Sequence, residues 1–79
     1  MSFKSVGNEI IEECIQASGH YPAFNSAHEG YAIILEELEE LKAEVFKKQS
    51  KRDMKQMRKE AIQVGAMALR FVNDIVPKV

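Results

Sequence analysis

The chain has 79 residues, a net charge of −1, 46% hydrophobic residues and one cysteine. At that length residues 1–79 form a single domain, and its core is marginal unless a metal or partner chain adds to it. The lone Cys14 excludes a disulfide framework and a four-cysteine zinc site, fits a reducing cytoplasmic setting, and reads as a small apolar core residue. No apolar run approaches the ~18 residues of a membrane span, and "MSFKSVGNEI" lacks the layout of a signal peptide, so a soluble chain with no membrane partner is expected.

The first helix is expected from about Ser5 to Ser18, with Val6, Ile10, Cys14 and Ala17 on one side and Gly19 as its stop. "HYPAFNS" then breaks the pattern, because Pro22 discourages helix. Ser26 and Glu29 have the spacing of a capping box, in which hydroxyl and carboxylate each satisfy an orphan backbone N–H. From there Tyr31, Ile34, Leu35, Leu38, Leu41 and Val45 recur at helical spacing, a stripe centred on Leu38, and the second helix is expected to reach about Lys48. "QSKRD" supplies a polar break with a new cap at Ser50 or Asp53. Met57, Ala61, Val64, Ala68, Phe71 and Ile75 then line a third helix that Pro77 ends.

No segment alternates with period two, so the fold is all-α: three antiparallel helices whose bundle is completed by oligomerisation. Ile62, Gly65 and Leu69 lie on the far side of the third helix, where one neighbouring helix cannot cover them, and are expected at a subunit interface.

The segment "HEGYAIILEELEELKAEV" holds six glutamates in eighteen residues. At 100° per residue Glu37, Glu40 and Glu44 fall within about 60° of one another beside the apolar stripe, while Glu36 and Glu39 point elsewhere. On the third helix Glu60 lies about 40° from the centre of the stripe. An unpaired carboxylate there is costly, so Glu60 needs a partner. If the two helices pack antiparallel, Glu37 and Glu40 converge on Glu60, and such an oxygen cluster suits a hard divalent ion, Mg²⁺ or Mn²⁺. Lys47, Lys48, Lys51, Arg52, Lys55, Arg58 and Lys59 place seven of the eleven positive charges in the turn and at the start of the third helix. They read either as a solvated hinge or as an anion funnel beside the metal; the near-neutral net charge makes a nucleic-acid partner the weaker alternative.

"LEELEEL", with Glu37-x-x-Glu40, followed some twenty residues later by "KEAIQV" with Glu60, resembles the MazG-like all-α nucleoside triphosphate pyrophosphohydrolases, particularly their small phage- and mobile-element-associated members. The resemblance covers about Phe24 to Phe71. It implies Mg²⁺-dependent (or Mn²⁺-dependent) hydrolysis of a nucleoside triphosphate to monophosphate and pyrophosphate, with Glu37, Glu40, Glu60 and Gln63 at the metal. Gln63 stands where the family has aspartate; an amide brings no charge and weakens the metal, unless Glu44 or Asp74 completes the site. Glu40 or Glu44 is expected to take the proton from water, and Lys48, Lys51, Arg52 and Lys55 to hold phosphates. Tyr21, Phe24, Asn25, His28 and Tyr31 are candidates for the base pocket, since aromatic faces stack on bases and Asn reads their edges; the alternative is that Phe24 and Tyr31 merely close the core and His28 sits in an exposed first turn. His20 and His28 lack a metal-binding spacing. The chain has no room for the family's fourth long helix, so a homodimer or homotetramer is expected to supply the missing wall of the pocket. The competing reading is a catalytically silent helical module for oligomerisation or partner binding, which Gln63 favours.

Overall fold

The computed structural model describes residues 2–76, and all of its regular structure is helical: α1 (Phe3–His20), α2 (Ala27–Val45), a single 3₁₀ turn (Gln49–Lys51) and α3 (Met54–Ile75). The expected stop of the third helix at Pro77 lies outside the described residues.

The ends of α1 and the starts of α2 and α3 have identifiable causes. α1 begins earlier than expected because Ser2 and Ser5 form a reciprocal capping box. It runs through Gly19, which has no positive φ, and ends one residue later. The stop is set by Pro22: the residue before a proline is driven out of the helical region, and Tyr21 is extended at φ −129°, ψ 142°. Ser26 caps α2 by accepting the Glu29 N–H at 3.1 Å. Glu29 does not return the bond to Ser26; its carboxylate accepts from the backbone and side-chain amides of Asn25, at 3.0 and 3.2 Å. α2 stops at Val45, short of Lys48, and Arg52 Nε donates to the Val45 carbonyl at 3.1 Å, satisfying one of the acceptors a helix end leaves over. Of the two expected caps for α3, Asp53 holds the position, accepting from the N–H groups of Lys55 and Gln56. Ser50 lies in the 3₁₀ turn.

α3 is the spine. Both other helices pack along it, and no Cα of α1 comes within 8 Å of one of α2. Contacts of α2 with α3 run in opposite chain directions, from Gly30 against Phe71 to the Glu37–Glu40 turn against Glu60, whereas Glu9 pairs with Arg58 and Ile10 meets Gly65, so α1 lies parallel to α3. Successive helices therefore reverse direction, as expected, yet α1 and α2 stand apart and leave a trough floored by α3.

The core is Ala17, Phe24, Ala66 and Met67, with Ile10, Cys14, Ile33, Ile34, Phe71 and Ile75 packed around it. Two expected stripes are rotated. A Cβ on Gly30 would sit 2.6 Å from the Phe71 ring, so α2 crosses α3 with its backbone at Gly30. That approach turns Ile33, Ile34, Glu37 and Leu41 inward and leaves Tyr31, Leu35 and Leu38 exposed. On α3, Ala61 and Ala68 are exposed while Ala66 is completely buried. Ile62 and Gly65, expected to face another subunit, are half-buried, and a Cβ on Gly65 would lie 3.1 Å from Ile10 of α1.

Candidate metal centre

The rotation of α2 determines the site. With Gly30 pressed against Phe71, Glu37 is two turns further along the same buried arc and meets α3 at Glu60, while Glu40 stands one turn beyond at the edge of the trough. One carboxylate oxygen from each of Glu37, Glu40 and Glu60 can be chosen so that all lie within 4.8 Å of one another. Glu60 is the buried member, 8% exposed; its Oε1 accepts from Gln56 Nε2 at 2.7 Å, and its Oε2 is buried with no hydrogen-bond donor. An acceptor in that state is costly, and a cation relieves it.

The electrostatics agree. Burial, then the neighbouring carboxylates, chiefly Glu40, push the Glu37 carboxyl up to about 7. Glu60 is pushed up as well, by burial first and then by the close approach and like charge of the Glu40 carboxylate; Gln56 and Lys59 oppose the shift. Carboxyls this close share protons when no cation is present, and a divalent ion would exchange that proton for two charges' worth of compensation. Three carboxylates, one of them holding an orphaned oxygen, form an oxygen donor set of the kind Mg²⁺ and Mn²⁺ accept.

The trough has a volume of about 650 Å³ and is lined by α1 through Glu13, Gln16 and His20, by α2 through Glu36, Glu37 and Glu40, and by α3 through Lys59, Glu60 and Gln63. At its far end lie Tyr21, Pro22, Phe24 and Arg70. There Arg70, 4% exposed, donates to the Pro22 carbonyl at 2.7 Å and stacks over Phe24, 4.6 Å from the ring centre. Asp74 accepts the Phe24 N–H at 3.1 Å, and hydrogen bonds from Asn73 and then Phe24 hold its carboxyl below the usual range. The end loop is thus pinned to α3.

Of the residues expected at the site, Glu37, Glu40, Glu60, Gln63, Tyr21 and Phe24 line the trough together. Glu44 does not: it is bound by Lys47 at 3.0 Å, one turn past the cluster. Lys48, Lys51 and Arg52 stay at the α2–α3 turn and Lys55 in the first turn of α3, none of them lining the trough; Arg52 is occupied as the Val45 cap and Lys55 lines a smaller cavity with Glu9 and Glu12. Asn25 is engaged with Glu29, and His28 and Tyr31 are exposed away from the trough, so of the expected base-pocket residues Tyr21 and Phe24 form the aromatic end, with His20 beside them. Asp74 is committed to the Phe24 amide and does not join the carboxylate cluster. Glu36, expected to point elsewhere, lines the trough, another consequence of the rotation at Gly30. The groups missed were Gln56 and Lys59. Gln56 was legible as the i−4 neighbour of Glu60, and Lys59 was counted with the hinge although it adjoins Glu60.

No protein-family model, curated protein or solved structure matches the chain. Among the described residues no helix is long and apolar enough to cross a membrane.

Proposed function

We propose that the protein is a Mg²⁺- or Mn²⁺-dependent nucleoside triphosphate pyrophosphohydrolase, cytoplasmic and homo-oligomeric, of the MazG-like kind its Glu37-x-x-Glu40 and Glu60 motifs resemble. The observation that carries the reading is Glu60 Oε2, buried without a donor in a three-carboxylate cluster on the wall of a trough large enough for a nucleotide.

Glu37, Glu40 and Glu60 would hold the ion, with Gln63 on the same wall as a further, uncharged oxygen donor. When bound, the ion would supply charge stabilisation at the α-phosphate and acidify a neighbouring water. Glu40 is the exposed member of the three, and its carboxylate takes the water proton. The water oxygen attacks the α-phosphorus, the bond from that phosphorus to the bridging oxygen breaks, and pyrophosphate leaves carrying the electron pair. Lys59 is the cation beside the cluster and neutralises the leaving group, a role the hinge lysines are too distant to fill. The nucleoside then extends toward Tyr21 and Phe24, whose rings offer stacking surface. Trough residues Lys59 and Arg70 are eleven positions apart on α3, roughly 16 Å, which accommodates an extended nucleotide.

The test is pyrophosphate release from a panel of ribo- and deoxynucleoside triphosphates with Mg²⁺ or Mn²⁺, in the parent and in Glu60→Gln. Release by the parent and its loss in Glu60→Gln are expected. Metal binding with no release from any triphosphate would leave the silent oligomerisation or partner-binding module as the reading, and Gln63 as its cause.

A further inference from the structure

Glu60 is the buried member of the carboxylate cluster, and the way it presents its two oxygens is decided on its own helix. Gln56 stands four residues earlier on α3, a spacing at which side chains meet. Its Nε2 donates to Glu60 Oε1 at 2.7 Å, the length of a bond strengthened by charge. Gln56 is half-buried and does not line the trough, so it reaches the site only through Glu60.

The direction of that side chain is a choice. Gln56 is the third residue of α3, and a glutamine there can turn back to accept from the backbone N–H of the capping residue, closing a capping box. Ser2 and Ser5 close such a box at the start of α1. At α3 only one half is made: Asp53 accepts from the Gln56 N–H, while the Gln56 amide is directed forward to Glu60. The bond it makes there has a geometric consequence. With a donor on Oε1, Glu60 has Oε2 left over, and that oxygen is buried without a donor. Mg²⁺ demands near-octahedral geometry and Mn²⁺ accepts it, whereas Ca²⁺ takes about six to eight oxygens and uses bidentate carboxylates to reach that number.

We infer that Gln56 selects the metal: by holding Glu60 Oε1 it restricts Glu60 to coordination through Oε2 alone, and so favours Mg²⁺ or Mn²⁺ over Ca²⁺. The inference rests on the cation site proposed above and deepens it. Gln56 is a positioning residue, of the kind that orients a metal ligand by hydrogen-bonding its far side. Its amide is the group suited to this, because it donates without adding charge beside the cation. A carboxylate at the same position has no donor when ionised and would leave Glu60 free to turn both oxygens to the ion. Gln63 on the trough wall works in the same sense, since an amide has a single oxygen and cannot bind as a bidentate carboxylate does.

The experiment is Mn²⁺ binding to the full chain, read from the electron paramagnetic resonance of free Mn²⁺, with Ca²⁺ as competitor, in the parent, Gln56→Met and Gln56→Ala. Methionine keeps the length and helix propensity of glutamine and removes the donor. The readout is the ratio of the Ca²⁺ to the Mn²⁺ dissociation constant, because a general loosening of α3 weakens both ions and leaves their ratio in place. In Gln56→Met the ratio should fall about 10-fold or more, with helix content unchanged. Gln56→Ala opens room for a water that donates to Glu60 Oε1 in place of the amide, so its ratio should fall less, the reverse of the order that lost packing gives. An unchanged ratio in Gln56→Met, or a larger fall in Gln56→Ala than in Gln56→Met, would overturn the inference. Should Gln56→Met not fold, Gln56→Ala decides by itself, a fallen ratio supporting the inference and an unchanged one overturning it. A parent that binds no Mn²⁺ would overturn the cation site and this role with it. A parent that binds Mn²⁺, with the expected fall in the variants but no pyrophosphate release from any triphosphate, would support the role of Gln56 and count against the proposed chemistry.

Discussion

α3 buries charge at two places ten residues apart, and the two are treated oppositely. At Arg70 the surroundings fit the charge: the Pro22 carbonyl accepts from the guanidinium, the Phe24 ring lies under it, and Asp74 is nearby with its own carboxyl held low by donors. Only Nε of that guanidinium has no acceptor. At Glu60 the surroundings oppose the charge: two more carboxylates crowd it, one oxygen has no donor, and its carboxyl is pushed up, as is that of Glu37. The first place is a clamp whose groups stabilise the loop; the second holds repulsion that only a proton or an external cation removes. Structural charge burial and binding sites are told apart by this difference in satisfaction, not by burial itself.

The comparison breaks most visibly at the clamp. Phe24→Ala removes a core ring and the surface on which Arg70 stacks, and should cost about 3–5 kcal/mol in denaturant unfolding. Gly30→Ala places a methyl group where the Phe71 ring now lies, 2.6 Å from its nearest atom, and should cost about 1–3 kcal/mol by chemical denaturation. It should also reduce Mn²⁺ affinity, because pushing α2 away from α3 separates Glu37 from Glu60.

At the carboxylate cluster the sign reverses. Without metal, Glu60→Gln and Glu37→Gln should be neutral or stabilising, because each removes like charge from a crowded site. A loss as large as that of Phe24→Ala would make the cluster as structural as the clamp. The same reasoning sets a pH dependence. Glu37 titrates near 4.5 when unfolded and at about 7 when folded, so the native state binds the proton more tightly. The corresponding stability is complete below the unfolded value and is lost as pH rises through about 7. The metal-free melting temperature should therefore fall between about pH 5 and 8, and the fall should be shallower in Glu37→Gln. The smallest effect belongs to the hinge: Lys51→Glu with Arg52→Glu should change the Michaelis constant for a triphosphate less than Lys59→Glu does, since only Lys59 borders the trough.

Much of this was legible in the sequence. Glu60 near an apolar stripe announced a buried carboxylate in need of a partner, and helical spacing put Glu37 and Glu40 on the side that meets it. The rotation of α2 was not legible, because Tyr31, Leu35 and Leu38 make as good an apolar stripe as the residues that are buried. Gly30 decides between them through a backbone approach to Phe71, a contact forty-one positions away that no periodicity encodes. The basic run misled for a related reason: sequence shows that lysines cluster, not that Arg52 turns back to cap α2 or that Lys47 is taken by Glu44. Arg70 stands ten residues, nearly three turns, from Glu60, too far along α3 to pair with it, and holds the Pro22–Phe24 loop instead.

The central claim is that Glu37, Glu40 and Glu60 hold a divalent cation, and thermal melting with and without Mn²⁺ tests it most directly. A ligand that binds only the folded state at about 100 times its dissociation constant stabilises by ~2.7 kcal/mol, several degrees in a domain of this size. The account predicts that shift in the parent, its loss in Glu37→Gln and Glu60→Gln, and its retention in Glu39→Gln on the other side of α2. No shift in the parent, or equal shifts in all four proteins, would contradict it.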